Sequence, residues 1–319
     1  MRIVVLSGGI GGARFLRGVR AAVPDADVTV IGNTGDDITL HGLRVCPDLD
    51  TVMYTLGGGI HEEQGWGRAD ETYAVATELA AYGAEPQWFG LGDRDLATHI
   101  LRSQLLAVGI PLSAVTDRLC ARWRPGVRLL PMTDDRVETQ ITIAAPDSPR
   151  TIHFQEYWVR LHAEPEALAV VLAGSDRARP APGVTEAIAM ADLVLLAPSN
   201  PVVSIGPILA VPGVRDALVD SAAPVVGLSP IVGGAVVRGM ADKLLALIGV
   251  ATTASAVALG YGPELLDGWL VDTVDADEVA AVAAGGIECR AVPLLMRDLP
   301  ATTAMARAAV DLAGQVTVG

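Results

Sequence analysis

Residues 2–31 read RIVVLSGGIGGARFLRGVRAAVPDADVTVI. The apolar run 2–6 predicts a buried strand, SGGIGGA a tight turn, residues 14–23 a helix, and DVTVI at 27–31 a second strand. This order is a mononucleotide-binding half of a doubly wound sheet. It is not the dinucleotide fingerprint. With Gly9 and Gly11 as the first two glycines, Arg14 stands where the third small residue belongs; with Gly8 first, Ile10 takes the second place. Asn33, not an acid, follows the second strand, and no Gly-Lys makes a Walker A loop. Two readings remain for the turn. It is a plain βα connection, or backbone N–H groups at Ser7, Gly8, Gly9, Gly11 and Gly12 meet a phosphate at a helix start, with Asn33 beside them.

Next comes GNTGDDITLHGLRVCPDLD, residues 32–50, with four aspartates and little that reads as core. Such a loop after an apolar strand serves a ligand or a metal more readily than a fold. Asp36, Asp37 and Asp50 are the candidate Mg²⁺ ligands, chosen by charge clustering. Asp37 and Asp50 are also candidates to orient or deprotonate a hydroxyl. The plainer reading makes Asp36 and Asp37 a solvated turn, and Asp48 a cap for the helix begun by Pro47 over residues 49–56.

From residue 57 to 164 the strand–helix rhythm weakens. Helices are expected over 71–82, 96–106 (capped by Asp93 or Asp95) and 113–122, and strands over 127–130, 138–143 and 151–158. The rhythm returns with strands at 193–196, 225–228, 252–258 and 268–274 and a last helix over 302–312. The expected fold is α/β: a doubly wound, mainly parallel Rossmann-like sheet with helices on both faces (residues 1–56 and 165–319), plus a smaller inserted α+β substrate subdomain (57–164). Ser199 and Asn200 follow one core strand, and Gly233 and Gly234 the next. Strand ends are where α/β sheets bind ligands, although both stretches also read as turns. Arg94, between Asp93 and Asp95 and ahead of Thr98 and His99, is a fork for a phosphate or a ring edge, or else a surface ion pair. His99 reads as a core histidine. Asp134 and Asp135 form a further acidic turn.

Half of the 319 residues are hydrophobic but only 4% aromatic, which suits a core of Val, Leu, Ile and Ala. A net charge of −14 argues against nucleic acid or an anionic membrane as partner. Three scattered cysteines make neither a disulfide framework nor a zinc site. Lys243 is the only lysine, so an amine nucleophile has one candidate. The opening apolar run is too short for a signal peptide or a membrane span, and a cytoplasmic protein is expected.

Taken together, SGGIGGARFL, GNTGDD, PDLDTVMYTLGG, GLGDRDLATHILRSQLL, LLPMTDDRVET, HFQEYWV, PSNPVVSIGPIL and SPIVGGAVVRG resemble the 2-phospho-L-lactate transferase family of coenzyme F420 biosynthesis. The resemblance runs nearly end to end and is greatest to the actinobacterial branch, the phosphoenolpyruvate transferases. It implies a Mg²⁺-dependent homodimer that works with the guanylyltransferase making its donor. A guanosine diphosphate-linked three-carbon acid, enolpyruvoyl-diphospho-5′-guanosine or lactyl-2-diphospho-5′-guanosine, would pass its phosphorylated acid to the ribityl hydroxyl of the deazaflavin Fo. GMP would leave. Asp50 and Arg94, with Asp95 and Thr98 nearby, would contact Fo. The glycine turn would face the donor phosphates, and Ser199, Asn200, Gly233 and Gly234 the guanosine. A competing reading is a non-catalytic, nucleotide-sugar-binding regulator of the gluconeogenesis-factor type, which shares the glycine-rich opening. The PDLD, GDRD and HFQ segments argue for the transferase. A nicotinamide-dependent oxidoreductase is disfavoured by the broken fingerprint.

Overall fold

The computed structural model describes residues 1–316. Seven parallel strands form the main sheet: β1 (Arg2–Ser7), β2 (Asp27–Gly32), β5 (Arg128–Pro131), β9 (Leu193–Leu196), β10 (Val225–Leu228), β13 (Gly268–Val271) and β14 (Glu288–Ala291). Their spatial order is β14-β13-β10-β9-β1-β2-β5. Successive side chains of a strand point to opposite faces. In β1, Val4 and Leu6 enter one core while Ile3 and Val5 enter the other, and β9 divides the same way, Val194 and Leu196 against Leu193 and Leu195. Burial on both faces is why these strands are nearly continuous apolar runs rather than alternating ones. The chain builds outward from β1 through β2 to β5, then returns to β1's other side with β9. The crevice beyond the carboxyl ends of β1 and β9 is therefore the switch point of the sheet, where such folds bind ligands.

Five helices surround the carboxyl ends of β1 and β2 or brace the segments that do: α1 (Gly9–Ala22), α2 (Pro47–Gly57), α3 (Ala74–Ala81), α4 (Asp93–Ala107) and α5 (Leu112–Trp123). α1 follows β1 directly and packs on α2 and on the helix Leu299–Ala313. The acidic segment between β2 and α2 includes a small hairpin, β3 (Ile38–Leu40) and β4 (Leu43–Val45). A second hairpin, β11 (Ile231–Val232) and β12 (Ala235–Val236), follows β10.

Two expectations need correction, and the expected inserted subdomain, residues 57–164, shares strand pairing with the rest of the chain. β5 pairs with β2 in the main sheet. The second sheet, β7-β6-β8, joins β6 (Glu138–Ile143) and β7 (Arg150–His153) to β8 (Ala167–Ala173), which lies beyond the expected boundary. Residues 252–258 are not a strand but the start of the helix Ala254–Tyr261, where the Thr253 hydroxyl caps Ala256 N–H at 3.1 Å. A threonine cap ahead of an alanine-rich run outweighs its apolar content. Finally, Asp93 does not cap α4. Its carboxylate accepts from Ala74 and Val75 N–H at 2.9 and 3.0 Å and so caps α3. Glu71 caps α4 in return, accepting from Arg94 and Asp95 N–H at 2.7 and 2.8 Å.

Candidate functional site

The site begins where β1 runs into α1. Gly9, the first helical residue, has φ +64°, a left-handed conformation that glycine adopts without strain. Ser199, just past β9, closes the turn: its Oγ accepts from Gly8 N–H at 3.3 Å and donates to the Gly8 carbonyl at 2.7 Å. A Cβ on Gly12 would fall on Ser7 Oγ and within 2.7 Å of Ser199 Oγ. Ser199 and the glycine turn, predicted as parts of one site, therefore meet across the switch point. Asn200 turns away, accepting from Val202 and Val203 N–H at 2.9 and 3.3 Å as the cap of the turn Pro201–Ile205. Gly233 and Gly234 are the tip of the β11–β12 hairpin, and Gly233 N–H is held by both Asp275 oxygens.

The four aspartates of the acidic segment are all at most 6% exposed, so Asp36 and Asp37 are not a solvated turn. Asp48 is not a helix cap either; Cys46 precedes α2, with no side-chain cap bond. Instead the Asp48 carboxylate lies against the glycine turn, 2.7 Å from where a Cβ on Gly8 would be. Asn33 fixes it there, donating to Asp48 Oδ2 at 2.9 Å and to the Val203 carbonyl at 3.1 Å, while its own Oδ1 accepts from Gly35 N–H at 2.8 Å. The second sheet buttresses this loop: Thr139 N–H donates to the Gly35 carbonyl at 2.7 Å, and His153 Nε2 lies 3.1 Å from the Asp37 carbonyl.

Burial is only partly offset here. Desolvation pushes Asp36 well above the usual carboxylate range, and the charge of Asp48 adds to it. Burial raises Asp37 to about 6 against the opposing pull of Arg44, whose Nη2 lies 3.1 Å away. Burial likewise raises Asp48 to about 6, although Asn33 and the Gly9 N–H hold it down. Asp36 Oδ1 and Asp37 Oδ1 are buried and have no hydrogen-bond partner. Charge of this kind is what a bound cation or a set of donors is placed to relieve.

Asp50 is in a different situation. Both of its oxygens are taken by Arg102 of α4, Nη1 bonding Oδ2 at 3.0 Å and Nη2 bonding Oδ1. Burial alone would lower Arg102, but Asp50 more than offsets it and the guanidinium is held further above its ordinary value. His99 Nδ1 lies 3.3 Å from Arg102 Nη1, and its Nε2 3.4 Å from Asp95 Oδ2. Tyr54 Oη donates to Asp95 Oδ1 at 2.6 Å and lies 2.8 Å from Thr98 Oγ1. Burial would raise Asp95, yet the hydrogen bond and charge of His99, with Tyr54, hold it below its usual range. Asp95 and Thr98 thus face α2, whereas the Arg94 side chain is half exposed, its nearest acid Asp70 at 3.9 Å. Among the described residues no group of three or more His, Cys, Asp or Glu is arranged to hold a metal ion. Of the expected ligands Asp36, Asp37 and Asp50, Asp37 is paired with Arg44 and Asp50 with Arg102.

Arg44, Tyr54 and Arg102 were not singled out from the sequence. The signal for Arg102 was present: Asp95, Thr98, His99 and Arg102 stand at i, i+3, i+4 and i+7, a polar stripe on one helix face. Asp134 and Asp135 prove structural, accepting from Ser113 and Arg179 N–H at 2.6 and 2.9 Å. A cavity of about 290 Å³ beside α3, lined by His41, Val75, Leu79, Phe89 and Leu96 among others, touches none of the predicted site residues.

A protein of Streptomyces coelicolor named phosphoenolpyruvate transferase is 69% identical over 316 residues, covering 99% of both chains. Proteins of the same name from Thermobifida fusca and Mycobacterium sp. strain JLS are 65% and 55% identical, each match covering 98% of this chain. The crystal structure of a upf0052-family protein from Bacillus halodurans shares the fold, with a TM-score of 0.60 at 16% identity over 97% of this chain and 98% of that one. The sequence pattern described as 2-phospho-L-lactate transferase CofD matches residues 3–288. The chain belongs to the 2-phospho-L-lactate transferase CofD family.

Proposed function

We propose that this transferase acts in coenzyme F420 biosynthesis, moving a phosphoenolpyruvyl group from enolpyruvoyl-diphospho-5′-guanosine to the terminal ribityl hydroxyl of Fo. The products are dehydro-F420-0 and GMP. The name borne by the relatives favours this donor over lactyl-2-diphospho-5′-guanosine, which would give F420-0. The observation that carries the reading is the buried Asp48 carboxylate held by Asn33 against the glycine turn, with the buried, unpartnered Asp36 Oδ1 in the same acidic segment.

In this reading the Gly8 and Gly9 N–H groups and the α1 dipole face the donor phosphates. Asp36 and Asp48 are the residues that would hold Mg²⁺, which takes one or two carboxylates, and the ion would supply charge stabilisation for the phosphoryl transfer. Arg94, with its fork open to solvent, binds Fo. Asp50 acts indirectly, its pair with Arg102 fixing α4 against α2.

The Fo hydroxyl oxygen forms a bond to the phosphorus bearing the three-carbon acid. The bond from that phosphorus to the oxygen shared with the guanylate breaks, and GMP leaves with the electron pair. The hydroxyl proton passes to the unpartnered Asp37 Oδ1. In-line positioning and charge stabilisation suffice for this step, and no covalent nucleophile is required.

We place the reaction in the cytoplasm, in a homodimer fed by the guanylyltransferase that makes the donor. None of the described helices is long and apolar enough to cross a membrane. α3 buries none of its residues, and Val75 and the adjacent Tyr82 are 43% and 86% exposed, which supports a subunit contact there. Mass spectrometry of the product tests the chemistry. The chain is supplied with Fo, GTP, Mg²⁺, the guanylyltransferase and either phosphoenolpyruvate or 2-phospholactate. A product two hydrogens lighter than F420-0, formed from phosphoenolpyruvate, is expected; transfer from 2-phospholactate alone overturns the donor assignment.

A further inference from the structure

Two arginines meet beside the glycine turn without a carboxylate between them. Arg14 lies on α1, one turn beyond Ile10; Arg238 lies on the segment after the β11–β12 hairpin. They come from the two halves of the doubly wound sheet, one following β1 and the other β10. A Cβ on Gly65 would be 2.7 Å from Ile10 Cγ2, 3.4 Å from Arg238 Nη1 and 3.5 Å from Arg14 Nη2. Both guanidiniums therefore come together against Gly65, where it meets Ile10 of the glycine turn at the start of α1.

Neighbouring groups are otherwise matched. Arg17, one turn further along α1, is paired bidentately with Glu62 at 2.9 and 2.6 Å. Arg14 and Arg238 bond only backbone carbonyls, those of Glu62 at 3.3 Å and Gln64 at 2.7 Å. Among the described residues, no carboxylate lies within 4 Å of either. The chain carries a net charge of −14, so acids are plentiful elsewhere. Burial lowers the Arg238 pKa and the positive charge of Arg14 lowers it further, the mark of two cations held together. A planar guanidinium fork matches an oxyanion in two directions, and two forks around one point leave donors free for it.

We propose that Arg14 and Arg238 form a clamp for an oxyanion of the guanosine diphosphate-linked donor, either a phosphate or the carboxylate of its three-carbon acid. The proposal rests on the transferase reading above. It gives the donor an attachment at Ile10 of the turn, distinct from the Asp48 contact at Gly8.

The test is calorimetric titration of Arg14→Gln, Arg238→Gln and the wild type with GDP and with GMP, repeated at rising salt, with apparent KM for the donor measured alongside. Arg17→Gln is the control, since it cuts the ion pair holding the same loop without removing either clamp residue. If the clamp takes a phosphate, each Gln variant loses on the order of tenfold or more in GDP affinity, and its GDP binding becomes less sensitive to salt. If the clamp takes the carboxylate, GDP affinity holds while the donor KM rises by a similar factor. Equal losses in Arg17→Gln would mean that the arginines act only by holding the loop, and would overturn the clamp. So would unchanged GDP affinity together with an unchanged donor KM. A wild-type chain that binds neither GDP nor GMP would remove the transferase reading itself, a result distinct from either.

Discussion

Two clusters of buried aspartates sit within one stretch of chain and have been treated in opposite ways. Around Asp50 the carboxylate charge is answered: Arg102 takes both of its oxygens, and His99, Asp95, Tyr54 and Thr98 continue the network across α2 and α4, although His99 Nε2 and Arg102 Nε are buried without a hydrogen-bond partner. Around Asp36, Asp37 and Asp48 it is not. Two carboxylate oxygens are unpartnered, and all three groups are pushed above the usual carboxylate range. A compensated buried network holds elements in register; an uncompensated one is unstable by itself and is relieved by what binds. Within GNTGDD…PDLD, then, Asp50 belongs to a paired network, and the proposed chemistry draws on its neighbours.

The sharpest way to break this distinction is to remove Arg102. Breaking one partner of a buried pair leaves an uncompensated charge, so Arg102→Met should lower stability by about 3–5 kcal/mol. The double variant Asp50→Leu with Arg102→Met should recover most of that, because the charge goes with its partner. Urea unfolding reads both; a single-variant loss under about 1 kcal/mol would falsify the claim that the network compensates Asp50. The PDLD motif by itself suggests that Asp50→Ala would abolish transfer with the fold intact. The Arg102 pair changes that expectation, since Asp50→Ala strands a guanidinium that is 1% exposed.

The other cluster should respond with the opposite sign. The folded-state pKa of Asp48, about 6, stands above the ordinary 3.8. Between those values the native chain holds more protons than the unfolded one. The contribution of Asp48 to stability is therefore fully present below about pH 4 and lost as pH rises through 6. Asp48→Asn removes the buried charge and should gain about 1–3 kcal/mol at pH 7.5, with little gain at pH 4, while transfer is abolished. Denaturant midpoints at the two pH values read this, and a variant destabilised at pH 7.5 would place Asp48 in the scaffold with Asp50. Mg²⁺ gives a smaller version of the same result. At pH 7.5 it should raise the melting temperature of the wild type by a few degrees and leave that of Asp48→Asn unmoved. An equal shift in both chains would detach the ion from this cluster.

Much of this was legible in the sequence. The turn SGGIGG between two apolar strands announced the doubly wound half, and six of the seven sheet strands were expected, all but β14. What the sequence hid was pairing at a distance. Nothing local to PDLD reveals that Asp50 faces Arg102 from 52 residues away, or that Asp48 turns back onto the glycine turn. A capping position and a ligand position look the same in one dimension, which is why Asp48 read as a helix cap and Asp93 as the cap of the wrong helix. The boundary of the expected subdomain is a related case. Strand pairing decides which sheet a segment joins, and β5 has a usual strand pattern whichever neighbour it finds.

Arg94 gives the finest division between scaffold and site, because its backbone and its side chain fall on different sides of it. Its N–H is bound to Glu71 and its carbonyl accepts from Arg68 Nη1 at 3.1 Å, so the peptide is part of the frame. Its side chain is half exposed, with only the loose contact to Asp70. An exposed pair of that kind is worth little. Arg94→Ala keeps both backbone bonds and should change stability by less than about 0.5 kcal/mol. Any larger effect on Fo binding is then a direct one. A guanidinium contacting the acceptor is worth on the order of tenfold in affinity, with GDP binding unchanged. Fluorescence titration with the deazaflavin separates the possibilities. Fo affinity equal to the wild type's would leave Arg94 in the frame with Asp93, and the acceptor would have to be sought on another surface.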